Sequence, residues 1–433
     1  MLDINLIRSK PEWVKAQIEK RGMTVNFTEL LKFEEERREI LKQNEEMRST
    51  RNTVTSEIAV MKKNGQEAGA KVAEMKKLGD AIASGDKLLV ELEGQIFDII
   101  SAFPNIPSDE VVSGGKEANK AVKTFGSPRK FDFKPKEHVD LCTSLGLIDY
   151  ERGSRMSGAG TWVYTGKGAM LEWALLNYFV EFHISNGYEF IMPPHILNYE
   201  SGYAAGQFPK FEDDVFFLNV SENIKQNKFL LPTSETALIN MHRGEIIPSE
   251  KLPIKYAAYS PCYRKEAGGY GASERGMIRG HQFNKIEMFM YSTAEQSPAL
   301  FEELVANAEK LVEGLGLHFQ TVALAAGDVS AGMAKTYDIE VHIPSMNGYK
   351  ECSSVSNAHD YQARRAGIRT KIQTERDGKK VNESSFVHTL NASGLATSRL
   401  IPAIVEQFQN EDGSVTVPPV LHKYMFGITK ISK

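Results

Sequence analysis

Pro261-Cys262-Tyr263-Arg264-Lys265-Glu266, a glycine-rich stretch from Gly268 to Gly276, and Arg279-Gly280-His281-Gln282-Phe283-Asn284-Lys285-Ile286-Glu287-Met288-Phe289-Met290 decide how this chain is read. Both flanks read as strands, joined by a long loop. Because side chains alternate across a strand, Arg264 and Glu266 share one face. His281, Phe283, Lys285 and Glu287 share another, while Ile286, Met288 and Met290 point away. A half-solvated sheet gives the same alternation. Phe283 within the charged row tilts the reading, since an aromatic plane beside fixed Arg and Glu groups suits a nucleotide base and its phosphates.

Three further constellations lie outside that stretch. In Leu231-Pro232-Thr233-Ser234-Glu235-Thr236 a hydroxyl and a carboxylate at alternate positions suit a small ligand with an ammonium group, while a helix N-terminus with a capping hydroxyl explains the same residues. Tyr349-Lys350-Glu351-Cys352-Ser353-Ser354-Val355-Ser356 offers oxygen ligands for Mg²⁺. Glu351 and Ser354 have opposite strand parity, so joint coordination requires a bend or bulge between them. His388 to Arg399 leads into a helical apolar pattern at Leu400, Ile401, Ile404, Val405 and Phe408. Arg399 at that helix start suits phosphate charge, and a capping Ser393 with a surface ion pair at Arg399 is the plainer alternative. No Gly-x-x-x-x-Gly-Lys-Ser/Thr loop and no Gly-x-Gly-x-x-Gly context occurs, which disfavours a Walker ATPase or a Rossmann enzyme.

The N-terminal part has a different texture. Phe33, Ile40, Met47, Val54, Ile58 and Met61 recur at coiled-coil steps, with Arg37, Asn44 and Arg51 at the intervening seam positions. A second series runs Met75, Leu78, Ile82, Leu89, Leu92, Ile96 and Ile99. Lys62-Lys63-Asn64-Gly65-Gln66 breaks the pattern, and Pro104 and Pro107 end it, which predicts an antiparallel helical hairpin. A helix over 28–64 would reach roughly 55 Å at 1.5 Å per residue. Periodicity leaves open whether this arm grips a partner, packs along the body or forms a dimer seam. Arg37, Asn44 and Arg51 equally suit a solvated seam or a surface for a nucleic-acid backbone. The boundary is placed near residue 110, giving 1–110 and 111–433, the latter read as one α+β domain.

With 433 residues, 41% hydrophobic and 25% charged, the chain has the composition of an ordinary globular protein. Its 52 Lys+Arg against 56 Asp+Glu exclude a polycation that coats nucleic acid indiscriminately, so any such contact is local and shaped. Cys142, Cys262 and Cys352 form neither a disulfide framework nor a Cys-x-x-Cys clip, and no signal-peptide or membrane-spanning pattern occurs. A reducing, cytoplasmic setting without a membrane is expected.

Taken together, Met1-Leu2-Asp3 with Ile7-Arg8, the hairpin arm, Gly206-Gln207-Phe208-Pro209-Lys210-Phe211, Pro232-Thr233-Ser234-Glu235, Arg264-x-Glu266, His281-Gln282-Phe283-x-Lys285-x-Glu287 and His388-Thr389-Leu390-Asn391 resemble bacterial-type seryl-tRNA synthetase, in that family's order and over essentially the whole chain. The resemblance implies a class II synthetase α+β fold: a six- to seven-stranded antiparallel sheet flanked by helices, with an N-terminal antiparallel coiled-coil arm that grips tRNA. It further implies a homodimer, with Pro193-Pro194 in the first class II motif at the interface. The expected reaction is ATP-dependent serine activation and transfer to tRNA(Ser), and also to tRNA(Sec).

Carried over to this sequence, the resemblance assigns serine binding to Thr233, Glu235, Arg264, Glu287 and Ser393. ATP falls to Arg264, Glu266, Arg275, Gly280, Phe283, Glu351, Ser354 and Arg399, with Mg²⁺ on Glu351 and Ser354 and catalysis on Arg264, Glu351 and Arg399. Departures from the family pattern are Tyr203-Ala204-Ala205 before Gly206-Gln207, Ala392 in place of a glycine, and Gly280 in place of a valine beside the nucleotide. Alternatives are a serine-activating paralogue in a biosynthetic or resistance pathway and a non-catalytic tRNA-binding relative.

Overall fold

A computed structural model describes residues 1–219, 221–266, 276–376 and 379–433. Arg275 and residues 268–275 of the glycine-rich loop lie outside the described residues. Two compact units result: Met1, Lys20–Gly22 and Pro104–Lys433 form one, and Leu2–Glu19 with Met23–Phe103 the other.

The smaller unit is built on α1 (Thr28–Lys63) and α2 (Gly69–Ala102). At 36 residues α1 is about 54 Å long. Partners run in opposite directions along the pair: Arg37 Nε donates to Glu93 at 3.1 Å, Arg48 Nη2 to Asp86 at 2.8 Å, and Lys71 pairs with Glu57. Gly65, at φ +71°, sits in the turn between the helices, a conformation that costs glycine little. Ile82, Leu89 and Leu92 are buried on the expected seam. Asn44 is buried there too, donating to Asp86 Oδ1 at 2.9 Å over Gly85, where a Cβ would lie 2.4 Å from Asn44 Oδ1. Asn44 and Arg37 therefore have partners inside the hairpin, and Arg51 is exposed.

In the larger unit β1 (Lys120–Phe125), β2 (Glu189–Ile191), β3 (Ile254–Tyr263), β4 (Gln282–Ser292), β5 (Phe319–Ala323), β6 (Lys335–Ile343), β7 (Gly348–His359) and β8 (His388–Ala396) form one eight-stranded sheet in the order β1-β5-β6-β7-β8-β4-β3-β2. All neighbours are antiparallel except β2 and β3. The sheet is thus wider than the six or seven strands expected. Helix α3 (Gly166–Ser185) leads into β2, and the parallel edge is possible because the long connection over 192–253 carries the chain back to the same end of the sheet before β3 begins.

Both faces of the sheet are covered. Ile286, Met288 and Met290 pack with Leu171 and Phe179 of α3, Leu304 of α5 (Ser297–Gly314) and Ile404 of α7 (Thr397–Gln407). On the opposite face Phe289 and Tyr291 pack with Leu238 of α4 (Glu235–Leu238) and Ala363 of α6 (Tyr361–Ala366). The alternation along β4 therefore does not mark a solvated sheet. Lys285 is 5% exposed and Glu287 fully buried, so the charged row faces the interior.

Two local irregularities shape that interior. Strand β3 ends at Tyr263, so Arg264 and Glu266 lie beyond it rather than within a strand. The Arg264 N–H donates to the His281 carbonyl at 3.0 Å, and Glu266, at φ +52°, turns the chain and pairs with Arg279. Between β6 and β7, Ile339 faces Ser353 and Glu340 faces Glu351, which makes Cys352 the extra residue of a bulge. That is the parity change that joint use of Glu351 and Ser354 requires.

Candidate active site

Thr233, Glu235, Arg264, Glu266, Glu287, Glu351, Ser354 and Ser393 line one cavity of about 450 Å³. Gly280, Phe283 and Arg399 line a smaller recess whose walls also include Arg264, Glu266, Glu351 and Ser393. Every site residue expected from the sequence, apart from Arg275, is brought to this pair of spaces.

Thr233 precedes the short helix α4 and is buried. Its hydroxyl accepts from the Glu235 N–H two residues on at 3.2 Å, a local turn bond, and from Lys285 Nζ at 2.7 Å, and it donates to Glu287 Oε2 at 3.3 Å. One side chain thus holds the start of α4 and also lines the cavity. Lys285 also pairs directly with Glu287, and Asn391 Nδ2 donates to Glu287 Oε1 at 3.0 Å. Burial, and next the charge of Glu287, push the Glu235 carboxyl up to about 7. The Gln362 amide, Lys285 and Arg264 oppose that shift. Glu235, Lys285 and Glu287 thus line one cavity, with Lys285 paired to Glu287.

The other side of the site is cationic. Arg264 donates through Nε to the Pro232 carbonyl at 3.3 Å, and its guanidinium stands 5.2 Å from the Phe283 ring centre. Arg399, in the first turn of α7, donates to the Glu351 carbonyl at 2.7 Å and pairs with its carboxylate at 3.5 Å. Ser393 lies within β8 and is not a helix cap; its carbonyl accepts from Ser353 Oγ at 2.6 Å. Gly280 packs so closely on Trp162 that a Cβ there would meet the indole at 2.2 Å. This indole occupies the space that a valine at position 280 would need.

Residues 1–107 match the family model of the seryl-tRNA synthetase N-terminal domain, and residues 214–408 match that of the class II tRNA synthetase core domain for Gly, His, Pro, Ser and Thr. Serine–tRNA ligase 2 of Clostridium acetobutylicum is 53% identical over 426 residues, covering 98% of this chain and 99% of its own. The chain belongs to the seryl-tRNA synthetase family. Among solved structures of seryl-tRNA synthetases, that from Pyrococcus horikoshii complexed with ATP superposes with a TM-score of 0.89 at 33% identity, covering 100% of this chain and 99% of that one. The cytoplasmic serine–tRNA ligase from Naegleria fowleri in complex with AMP gives 0.86 at 28% identity, covering 100% and 99%.

For this member of the seryl-tRNA synthetase family, two polar residues that line the site, and a third behind Ser354, carried no role in the sequence reading. Lys285 had a signal, since it lies on the same strand face as Phe283 and Glu287. Asn391 had one too, two positions before Ser393 on the same strand. Asp338 had none: it enters only because β6 places it opposite Ser354.

Proposed function

We propose that this chain activates serine with ATP to seryl-adenylate and pyrophosphate, then transfers serine to tRNA(Ser) and also to tRNA(Sec). The observation that carries the reading is that Glu235 and Glu287 face the same cavity as Arg264, while Phe283 and Arg399 line the recess sharing its walls. Glu235 and Glu287 meet the serine ammonium, and Thr233 and Ser393 meet its hydroxyl. A site built to bond a hydroxyl rejects alanine strongly, whereas threonine is excluded by shape.

Arg264 holds the ATP α-phosphate and the serine carboxylate, so that the carboxylate oxygen attacks phosphorus in line with the departing pyrophosphate. Phe283 stacks adenine beside Gly280, Arg399 takes the γ-phosphate, and Glu266 with Arg275 completes the nucleotide contacts. The terminal adenosine hydroxyl of tRNA then attacks the activated carbonyl, and no protein nucleophile is needed.

Mg²⁺ fits the residues present. Asp338 Oδ1 is buried without a hydrogen-bond partner among the described residues, and burial and the Glu351 charge push that carboxyl well up. A cation beside Glu351 would offset the burial and charge that push this carboxyl up. No three His, Cys, Asp or Glu side chains converge for a metal among the described residues, which suits an ion that takes Glu351, Ser354, substrate phosphates and water. When bound, it neutralises phosphate charge.

Residues 1–110 are assigned as the tRNA-binding domain and 111–433 as the catalytic domain. Met192 and Ile196, which flank Pro193-Pro194 in sequence, are exposed and support a homodimer through that surface. Among the described residues no helix is long and apolar enough to cross a membrane. Three buried free cysteines agree with a cytoplasmic setting. ATP–pyrophosphate exchange with serine, threonine, alanine and no amino acid, followed by serine acceptance by unfractionated tRNA, tests the reading. Serine-dependent exchange with transfer is expected, exchange without transfer marks a specialised paralogue, and no exchange by folded protein leaves a tRNA-binding relative.

A further inference from the structure

Gln362 lies on α6, is 1% exposed and forms no part of the cavity wall. Its amide nevertheless ties three segments of the site together. Nε2 donates to Glu235 Oε1 at 2.7 Å and to the Ala205 carbonyl at 3.0 Å, while Oε1 accepts from Thr389 Oγ1 at 2.6 Å. Ala205 and Glu235 both line the cavity, and Thr389 sits on β8, the strand that carries Ser393. The same helix braces the outer wall again through Arg365, which donates to the carbonyls of Tyr203 and Phe208 at 2.6 Å each.

We propose that Gln362 is a positioning residue for amino-acid recognition: by holding Glu235 Oε1 and the Ala205 carbonyl, it fixes the carboxylate that receives the substrate ammonium. The proposal rests on the reading that Glu235 faces that ammonium. A buried carboxylate has few means of keeping one rotamer and its charge, and a short N–H···O⁻ bond provides both. The amide is suited to this because it adds no charge beside Glu287. The titratable groups facing Glu235 are Glu287 and Lys285 on β4 and Arg264 beyond β3, with Gln362 as the neutral donor from α6. Burial and Glu287 raise the Glu235 carboxyl to about 7, and the Gln362 bond opposes them. Removing that bond makes the carboxylate harder to ionise near neutral pH, where an ammonium ligand requires it ionised.

Gln362→Met, close in volume but without donor or acceptor, is compared with the unaltered enzyme in ATP–pyrophosphate exchange between pH 6.5 and 8.5. The serine KM at neutral pH is expected to rise about tenfold, in line with one lost hydrogen bond to a charged group, while the ATP KM is unchanged. Raising the pH is expected to recover serine affinity in the variant more steeply than in the parent. Equal rises in the serine and ATP KM, a serine defect indifferent to pH, or an unaltered serine KM would each overturn the proposal. Glu235→Gln separates it from its premise. If that variant keeps its serine KM, the ammonium reading itself fails; if it loses serine affinity while Gln362→Met does not, only the Gln362 role fails. Should Gln362→Met not fold, Thr389→Val frees the amide from its anchor and is expected to raise the serine KM selectively by a smaller factor, with no change there overturning the proposal.

Discussion

Lys285 Nζ stands 2.7 Å from Thr233 Oγ1 and pairs with Glu287, so one ammonium group sits among the side chains assigned to serine. Both charges are buried, and the attraction between them offsets a desolvation penalty that neither could bear alone.

Lys285→Met leaves Glu287 as an uncompensated buried carboxylate, with Glu235 as a like-charged neighbour. The expected cost is about 3–5 kcal/mol of stability at pH 7.5. Urea unfolding at pH 7.5 measures this, and a loss well under about 1 kcal/mol would show that the pair is not what stabilises the site.

Arg264→Ala removes the guanidinium that reaches both cavity and recess, while its backbone bond to His281 remains available. A roughly hundred- to thousandfold loss of serine-dependent pyrophosphate exchange is expected, the size seen when a transition-state donor is deleted. Circular dichroism and the melting temperature should stay close to the parent. Near-normal exchange would remove Arg264 from its assigned role.

Gly280 tests a departure from the family pattern directly. In Gly280→Val the new Cβ would meet the Trp162 indole at 2.2 Å, and the two carbons of that ring nearest it cannot yield without moving the segment that carries it. Overpacking of this kind costs about 1–3 kcal/mol. The expected outcome is a lower melting temperature and a higher ATP KM, with both partly restored by Gly280→Val combined with Trp162→Ala. Failure of the second change to relieve the first would mean that the valine clashes with something other than the indole.

The legible parts of the structure were those where local pattern and tertiary environment agree. The arm was readable because heptad spacing is itself a packing instruction, from Ile82 through Leu92 to the polar Asn44. The charged row of β4 was readable as a face but ambiguous as to what it faces. Period-two alternation is the same whether Lys285 and Glu287 meet water or a cavity, and only the cover supplied by α4 and α6 decides it. The bulge at Cys352 followed from requiring Glu351 and Ser354 to act together, a chemical rather than a periodic argument. Gln362 and Asp338 were beyond reach, because their importance comes from partners far away in the chain: Glu235 for one, Ser354 across a strand pair for the other.

Glu172 on α3 shows how the buried framework of the site depends on pH. Its Oε1 accepts from Asn284 Nδ2 at 2.8 Å and from Thr397 Oγ1 at 2.6 Å, so it links β4, next to Phe283, with the first residue of α7, two positions before Arg399. Burial pushes this carboxyl from 4.5 up to about 7, against the hydrogen bonds from Thr397 and Asn284 that lower it. Because its folded pKa lies above the unfolded one, the folded state holds the extra proton between about pH 4.5 and 7. Stability therefore falls as pH rises through that window, and the loss is complete above it. Glu172→Gln retains an oxygen to accept both bonds and has no charge to bury. It is expected to be more stable than the parent at pH 8, by about 1–3 kcal/mol for a shift of this direction, with the advantage fading towards pH 5. Thermal unfolding of the two proteins at pH 5 and pH 8 checks it, and a variant that is less stable at both would mean that the ionised carboxylate itself holds β4 and α7 in place.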